Sequence, residues 1–358
     1  MLIVADGKTS MSSKAIKILF FADTHLGFDL PLRPRIQRRR RGDDFFANYH
    51  HILNYALVEK VDLIVHGGDF IFRSRVPPLI IEKAFAPLIE IAKQEIPIYL
   101  VPGNHERSKL PGHLWLAHPN IHVFDRPKTF YQDIHGISVA LSGFPFKRQV
   151  RNHFRESMGL AGFQPAEADI HLLCLHQTFE GAQVGPADFT FRKGLDNIPG
   201  TFIPQGVTAV LCGHIHRSQT LTRTLDGAPL AAPVIYPGSI ERTSFAERNE
   251  AKHFVLLEIE PSHPNHKPEV AFIPLPTRPM VRVEIPTNNC DRDGIERMIR
   301  EKLMVLNPES VVKVQLLGPG AEELSEALSL SRLRNLAPRT MNVSFVYQRR
   351  DFFKNKSR

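Results

Sequence analysis

The sequence predicts an α/β fold whose ligand site lies at the ends of parallel strands. Three observations support this: short apolar runs alternate with helix-like segments, five of these runs end in a polar motif, and glycines flank most of the motifs. Short apolar runs bounded by turn residues are typical of strands covered on both faces. Because ligands in open α/β sheets collect at the carboxyl ends of the strands, the five polar tips are expected to converge on one crevice.

The five polar motifs combine aspartate, asparagine and histidine. The apolar runs 17–22, 61–66, 96–101, 170–175 and 208–212 lead respectively to Asp23-Thr24-His25, Gly68-Asp69, Gly103-Asn104-His105, His176-Gln177 and Gly213-His214-Ile215-His216. The glycines permit the tight turns and close backbone approach that ligand loops need.

Helices and further strands are predicted around these motifs. Apolar residues at helical spacing predict helices over 45–59 and 78–93, the second beginning at Pro78. After the fifth motif the pattern becomes rich in strands, at 219–225, 228–236 and 253–260, and a turn at Asp226-Gly227 joins the first two as a hairpin.

A proline-rich segment, 274–279, predicts a domain boundary. It separates a large domain, 14–275, from a small C-terminal α+β domain, 280–350. In the small domain, strands are predicted at 280–285, 311–317 and 341–348, and helices at 291–305 and 325–336. The leader 1–13, in which Met11 is an alternative start, and the basic tail 349–358 are predicted to be disordered.

The composition is that of an ordinary soluble protein of 358 residues, 42% hydrophobic and 23% charged. No apolar stretch approaches the roughly 20 residues of a membrane helix. The three cysteines do not form a disulfide framework, and Cys174 and Cys212 lie inside apolar strand patterns, so we expect a cytoplasmic protein without a membrane partner. The net charge of +8 favours a polyanionic partner.

The motifs indicate a centre for two divalent cations. In extended chain, residues i and i+2 point to the same side, so Asp23 and His25 can reach one ion, as can His214 and His216. The carboxylate of Asp69 has two oxygens and can bridge two ions. Ligation by imidazole and oxygen without thiolate suits Mn, Fe, Zn or Ni in the divalent state. Two such ions polarise a phosphoryl group and lower the pKa of a water molecule.

A single Asp-x-His or Gly-His-x-His is common in proteins, so the prediction depends on the recurrence of the pattern. Histidines outside the motifs, such as His50, His122 and His171, are interpreted as helix-surface, strand or loop residues. His66, directly before Gly67, is a candidate for supporting the ligands from behind.

The ordered set of five motifs resembles the calcineurin-like metallophosphoesterase superfamily. The resemblance implies a four-layer α/β/β/α sandwich. It also implies that one metal is held by Asp23, His25, Asp69 and His216, and the other by Asp69, Asn104, His176 and His214. It further implies that His105 binds no metal and assists the leaving oxygen of the scissile phosphate, a role that suits an imidazole.

Three stretches look like the SbcD-type DNA repair nucleases: 23–27 with the basic loop that follows, 68–70 with Arg73, and 236–239. The small C-terminal domain fits the capping domain of that family. The resemblance implies an Mn²⁺-dependent hydrolase that acts as an exonuclease on duplex ends and an endonuclease on single strands. It also implies an SbcC-type ATPase partner. The chain departs from the family pattern in having Glu106 where Asp is common, and in the short tail after the cap, which puts the ATPase-binding segment in doubt.

Seven arginines are candidates for binding the DNA backbone, because guanidinium makes bidentate contacts with phosphate. They are Arg33, Arg35, Arg38, Arg39, Arg40, Arg41 and Arg192. The alternative interpretation is a solvated basic loop without a special role.

Two other functions remain open from the sequence: a small-molecule phosphodiesterase, for example one acting on cyclic nucleotides, and a DNA-end-binding protein without catalysis. A homodimer through Phe46, Tyr49 and Leu53 is a further hypothesis, although these residues equally fit a core.

Overall fold

The computed structural model describes residues 14–30, 39–107, 110, 116, 118–260, 267–288, 290–319, 321, 323 and 328–346. These residues form two compact units. The first contains the described residues of 14–28, 44–243 and 250–276. The second contains those of 29–43, 244–249 and 277–346.

The first unit is built on two six-stranded sheets. Its strands, in chain order, are β1 (Ile16–Phe21), β2 (Leu63–His66), β3 (Ile98–Leu100), β4 (Ile121–Val123), β5 (Lys128–Ile134), β6 (Ile137–Gly143), β7 (Ile170–His176), β8 (Thr178–Phe179), β9 (Gln183–Val184), β10 (Phe189–Thr190), β11 (Asn197–Ile198), β12 (Ala209–Gly213), β13 (Gln219–Arg223), β14 (Pro229–Tyr236), β15 (Lys252–Ile259) and β16 (Glu269–Leu275). The first sheet has the order β16-β15-β1-β2-β3-β4, and the second has the order β13-β14-β12-β7-β6-β5.

The main core lies between the two sheets. Phe20, Val65 and Tyr99 of the first sheet and Leu172 and Leu211 of the second belong to one cluster of buried apolar side chains. Both sheets contain parallel neighbours: β1 pairs with β2 and β2 with β3, while β7 pairs with β12. The strand ends that carry the polar motifs therefore point in a common direction within each sheet.

Helices cover the outer faces. Those of the first sheet are α1 (Arg41–Glu59) and α2 (Pro78–Ala92), with Tyr49 of α1 and Phe85 of α2 both packed against the ring of Phe70. The helix on the second sheet is α3 (Val150–Ala161), whose Phe154 is buried with strand residues of β7 and β12. Short 3-10 helices occupy Pro165–Glu167, Gly200–Phe202 and Phe245–Glu247. The predicted four-layer α/β/β/α sandwich is thus confirmed.

The second unit contains a three-stranded parallel sheet, β17 (Met280–Pro286), β18 (Val311–Leu317) and β19 (Asn342–Phe345), in that order. Helices α4 (Arg292–Met304) and α5 (Leu330–Asn335) connect the strands, and their apolar residues share one core with the sheet. Side chains of Asp291 and Ser329 cap the two helices by accepting hydrogen bonds from the backbone N–H groups of Gly294 and Arg332.

Several bounds differ from the sequence predictions. Helix α1 begins at residue 41 rather than 45. The helix predicted over 325–336 is described only as Leu330–Asn335, and part of the predicted segment lies outside the described residues. The β5–β6 hairpin, β16 and α3 have no individual counterpart among the sequence predictions. Residues 1–13 and 349–358, which are predicted to be disordered, also lie outside the described residues, as do residues 347 and 348 at the end of the last predicted strand.

Three further predictions can be compared with side-chain burial. Phe46, Tyr49 and Leu53 are buried in the core of the first unit, so the homodimer surface suggested for them is wrong. Cys174 and Cys212 are buried and free, as expected for core residues. Among the described residues, no helix has both the length and the apolar character needed to cross a bilayer.

Candidate metal centre

The five polar motifs follow strands of both sheets. β1, β2 and β3 are consecutive parallel neighbours in the first sheet, and their carboxyl ends lead to Asp23, Asp69 and Asn104. β7 and β12 are parallel neighbours in the second sheet, and they lead to His176 and His214. The motifs converge on one crevice because the five carboxyl ends meet at the same end of the sandwich.

One side of the crevice gathers Asp23, His25 and His216, whose potential ligand atoms lie within 4.8 Å of one another. The Nε2 atoms of His25 and His216 approach to 3.1 Å, and His216 Nε2 lies 3.9 Å from an oxygen of Asp23. The other oxygen of Asp23 accepts a hydrogen bond from the backbone N–H of His214 at 3.0 Å. The first and fifth motifs are thereby held together.

The other side gathers Asp69, His176 and His214 within the same limit. His176 Nε2 lies 3.4 Å from Asp69 Oδ2 and 3.1 Å from Asn104 Oδ1. Its Nδ1 is 2.7 Å from the carbonyl oxygen of Gly67. Since that oxygen can only accept, Nδ1 carries a hydrogen, and Nε2 is the ring nitrogen that faces Asp69 and Asn104 in the crevice. Metal-binding histidines are commonly oriented in this way.

His105 lies beside the predicted ligands. Its backbone N–H donates to Asp69 Oδ1 at 2.9 Å, and its Nε2 is 3.8 Å from Asp69 Oδ2. Together with His25 and Asp69 it forms a third cluster within 4.8 Å. His105 is therefore as close to His25 and Asp69 as the predicted metal ligands are to one another. Its Nδ1 donates to the carbonyl oxygen of Phe72, which leaves Nε2 to face the crevice.

Four predicted ligands have backbone conformations in the left-handed region. The φ angles are 52° at Asp23, 43° at His25, 53° at Asp69 and 89° at His214. Asp and His tolerate this region better than most residues, but it remains costly. Backbone hydrogen bonds stabilise it, from Asp23 N to Gly68 O and from His25 N to Asp69 O, each at 2.9 Å.

Glycines at the strand ends are required by close packing. A Cβ on Gly103 would overlap the carboxylate and the backbone nitrogen of Asp69. A Cβ on Gly68, which also has a φ of +102°, would overlap the ring of His176. A Cβ on Gly213 would overlap the carbonyl oxygen of Gly67. The ligand loops can approach one another only because these side chains are absent.

His66 supports the crevice from behind. Its Nδ1 accepts a hydrogen bond from the backbone N–H of Gly68 at 3.2 Å, and its Nε2 lies 3.1 Å from the hydroxyl of Thr24. The Thr24 hydroxyl donates to Phe70 O at 2.9 Å, so His66 Nε2 is the donor toward Thr24. Burial lowers the pKa of His66 to about 3, in agreement with this neutral tautomer.

Burial and mutual contacts shift the pKa values of the groups that face one another in the crevice. Burial raises the pKa of Asp23 and lowers that of His25 well below its ordinary value. Burial also lowers the pKa of His214 to about 3. The imidazoles of His25 and His214 are therefore neutral and keep lone pairs for a cation. Burial alone would raise the pKa of Asp69, but the adjacent His176 holds it below its ordinary value. Burial alone would lower the pKa of His176, but Asp69 raises it to about 9.

The residues present fit two divalent cations. Two buried carboxylates, an amide oxygen and imidazole nitrogens face one another, and Asp69 lies close to ligands of both sides. This donor set suits Mn²⁺, Fe²⁺ or Zn²⁺ better than the all-oxygen sites of Ca²⁺.

The arginines predicted to bind DNA are located differently. Arg33, Arg35 and Arg38 lie outside the described residues. Arg39, Arg40 and Arg41 group with the second unit, where the guanidinium of Arg39 pairs with Glu309 and that of Arg40 is 3.9 Å from Asp29. Arg192 is exposed in the first unit.

One neighbour of the centre has no signal in the sequence. The half-buried ring of Phe146 lies 5.6 Å from the ring of His214 and 6.1 Å from that of His176, between centroids. Phe146 follows β6, at the end of a strand that carries no polar motif.

Comparisons with known proteins agree with this geometry. The family described as calcineurin-like phosphoesterase matches residues 16–218, which include all five motifs. The chain is 23% identical to the DNA double-strand break repair protein Mre11 of Archaeoglobus fulgidus, over 92% of this chain and 73% of that protein. It is 27% identical to the Mre11 protein of Saccharolobus solfataricus, over 82% of this chain and 71% of that protein.

A bacterial relative carries a different name. The chain is 23% identical to the SbcD subunit of the SbcCD nuclease of Staphylococcus epidermidis, over 84% of this chain and 79% of that protein. The matched family covers more than half of the chain, and the match includes all five strand ends described above. The chain therefore belongs to the calcineurin-like phosphoesterase family, and its relatives include proteins named Mre11 and SbcD.

Proposed function

We propose that this chain is an Mn²⁺-dependent DNA nuclease of the SbcD type, acting as an exonuclease on duplex ends and as an endonuclease on single strands. The observation that carries the proposal is the convergence of Asp, Asn and His side chains from five strand ends, with Asp69 close to ligands on both sides. The names of the relatives support DNA as the substrate and repair as the process.

The ligand assignment is part of the proposal. One ion would be held by Asp23, His25, Asp69 and His216, and the other by Asp69, Asn104, His176 and His214. When bound, two divalent cations polarise the phosphoryl group and neutralise the charge that develops in the transition state. The buried carboxylates and the oriented imidazoles fix where that charge compensation takes place.

His105 acts as the proton donor to the leaving 3′ oxygen. Its Nδ1 is occupied by the carbonyl oxygen of Phe72, so only Nε2 can exchange a proton with the substrate. The side chain is 35% exposed, which leaves it accessible from the mouth of the crevice. Its backbone N–H is fixed by Asp69, so the imidazole is positioned by the same residue that would serve both ions.

The remaining assignments concern DNA and partners. In our proposal the nuclease domain is 14–275 and residues 280–350 are the capping domain. The arginines of 33–41 and Arg192 neutralise phosphates. The protein works in the cytoplasm, and an SbcC-type ATPase is its partner by family relationship.

The test is digestion of end-labelled and end-blocked duplex DNA and of single-stranded DNA with Mn²⁺, next to a His105→Ala control. We expect labelled ends to be released from free duplex ends but not from blocked ones, and single strands to be cut internally. Turnover of cyclic nucleotides without cleavage of any DNA would favour the small-molecule phosphodiesterase. Tight DNA binding without any turnover would favour the DNA-end-binding protein.

A further inference from the structure

A cavity of about 480 Å³ lies beside the metal centre and within the first unit. His214, a predicted ligand, forms one part of its wall, and the remainder comes from the segments around Phe146 and Gln177. The volume falls within the roughly 300–1,000 Å³ that is usual for ligand sites. Of the residues that line this cavity, only His214 is among the proposed metal ligands.

Gln177 is the most informative residue of the wall. It directly follows His176, it is only 1% exposed, and its carbonyl oxygen accepts hydrogen bonds from Cys212 Sγ and from the hydroxyl of Tyr236, each at 3.1 Å. Its side-chain nitrogen Nε2 is buried and has no hydrogen-bond partner among the residues that the structure describes. Because an unpaired buried donor is costly, a protein that retains one beside a cavity is expected to satisfy it with a ligand.

Phe146 supplies an aromatic surface in the same wall. It is half-buried, and its backbone N–H donates to Pro102 O at 2.9 Å, which ties it to the loop that precedes Gly103. Aromatic side chains next to nucleic-acid sites stack on bases, whatever the base is.

The charge of the cavity distinguishes a base from a second phosphate. The exposed side chains of Arg148 and Asp196 both contribute to the wall, and they carry opposite charges. Asp196 Oδ1 accepts a hydrogen bond from the backbone N–H of Gln149 at 2.6 Å, at the N-terminus of α3. A helix N-terminus is where a phosphate would otherwise be expected to bind, and the carboxylate of Asp196 already occupies it. A wall without net charge suits a neutral ring that carries hydrogen-bond acceptors.

We propose that this cavity is a base subsite, in which the nucleobase next to the scissile phosphate stacks on Phe146 and accepts a hydrogen bond from the amide of Gln177. The inference rests on the proposed nuclease function and adds to it a determinant of substrate binding. It also explains how a centre that acts on any phosphodiester prefers a polynucleotide: the neighbouring base provides binding energy that a simple ester lacks.

The experiment measures kcat/KM with Mn²⁺ on a labelled oligonucleotide cut at a defined position. The oligonucleotide is used intact and with an abasic nucleotide on either side of that position. For the wild type we expect one of the two abasic substrates to be cleaved at least about 10-fold more slowly, because it lacks both the stacked ring and the hydrogen-bond acceptor. Gln177→Met removes only the donor, at similar volume, so it should lose about 2- to 12-fold on the intact substrate, the range of one hydrogen bond, and show no additional loss on the abasic one.

Controls keep the test specific. Gln183→Met is the same substitution at an exposed position outside the cavity, and it should behave like the wild type. Calorimetric titration with Mn²⁺ should give equal affinity for Gln177→Met and wild type. If Gln177→Met does not fold, Phe146→Leu at the half-buried ring carries the same comparison between intact and abasic substrates.

Three results would overturn the subsite. The first is a Gln177→Met variant as fast as wild type on intact DNA, and the second is a variant that loses the same factor on intact and abasic DNA. The third is a wild type that does not distinguish the substrates. Failure of the wild type to cleave any oligonucleotide would overturn the nuclease function itself, and the subsite with it.

Discussion

The carboxylate of Glu106 accepts a hydrogen bond from the backbone N–H of Ile71 at 2.7 Å. Its other oxygen accepts from the backbone N–H of Gly103 at 2.9 Å. One buried side chain thus joins the loop after β2, which carries Asp69, to the loop after β3, which carries Asn104. The sequence identifies Glu106 as a departure from the related nucleases, and the structure shows what its carboxylate does.

Burial raises the pKa of Glu106 to about 8, so above that pH we expect Glu106→Gln to destabilise the fold by about 1–3 kcal/mol, because the amide NH₂ would face one of the two backbone donors and leave it unpaired. Chemical denaturation of the metal-free protein measures the change. Glu90→Gln, on an exposed position of α2, is the matched control and should change the free energy of unfolding by less than about 0.5 kcal/mol. Equal stability of the two variants would contradict the proposed link.

Gly103→Ala should weaken Mn²⁺ binding by about 10- to 100-fold, because the added methyl group displaces Asp69. Calorimetric titration measures the affinity. Gly159→Ala is the matched control, since a Cβ at that helical glycine meets nothing within 4 Å and Ala favours a helix. Unchanged Mn²⁺ affinity in Gly103→Ala would mean that Asp69 is not a ligand.

For His105→Ala we expect DNA cleavage to fall by about 10²- to 10⁴-fold, the usual contribution of a general acid. The number of bound Mn²⁺ ions should remain two per chain. Metal analysis after desalting tests the second part. A lower number would identify His105 as a metal ligand. The test is needed because His105 lies close enough to His25 and Asp69 to share an ion with them.

The buried residue His171 should make stability depend on pH. Burial lowers its pKa to about 4, while the unfolded chain keeps the ordinary value of 6.5. Between these values the unfolded state binds more protons, so the free energy of unfolding falls as the pH decreases from 6.5 to 4. Denaturation of the chelated protein should show a smaller decrease for His171→Gln than for wild type. His153→Gln, at an exposed histidine of α3, should match wild type. Identical pH profiles for His171→Gln and wild type would refute the prediction.

Replacing Arg39, Arg40 and Arg41 together by Ala should reduce the salt dependence of duplex binding. Each lost phosphate contact lowers the slope of log affinity against log salt concentration by about 0.9. Fluorescence anisotropy at several salt concentrations measures the slope. Replacing the exposed residues Lys60, Lys93 and Arg126 removes the same charge elsewhere and should leave the slope nearly unchanged. Equal slopes for both triple variants would show that the basic loop only adds net charge.

The strand ends and their polar residues can be predicted from the sequence because each motif is local. An apolar run and the turn that ends it lie within about ten residues, so pattern and chemistry are visible together. Asp23, Asp69 and His176 are identified in this way.

Features that depend on distant partners cannot be predicted. The orientation of His66 follows from contacts with both Thr24 and Gly68, and the cavity next to Gln177 exists only because Phe146 and Asp196 come to the same place. Helix α3 also lacks a local signal. It begins after Gln149, whose backbone is left-handed and whose side chain makes no capping hydrogen bond.

The predicted ligands come from two different sheets, and His25 and His216 are 191 positions apart in the chain. A growing chain on the ribosome cannot complete the centre until the fifth motif has been synthesised and both sheets have packed together. Fragments and half-folded chains therefore lack a working centre. If the protein is a DNA nuclease as proposed, it has no nuclease activity while it is being synthesised, and proteolytic cleavage in either sheet abolishes that activity.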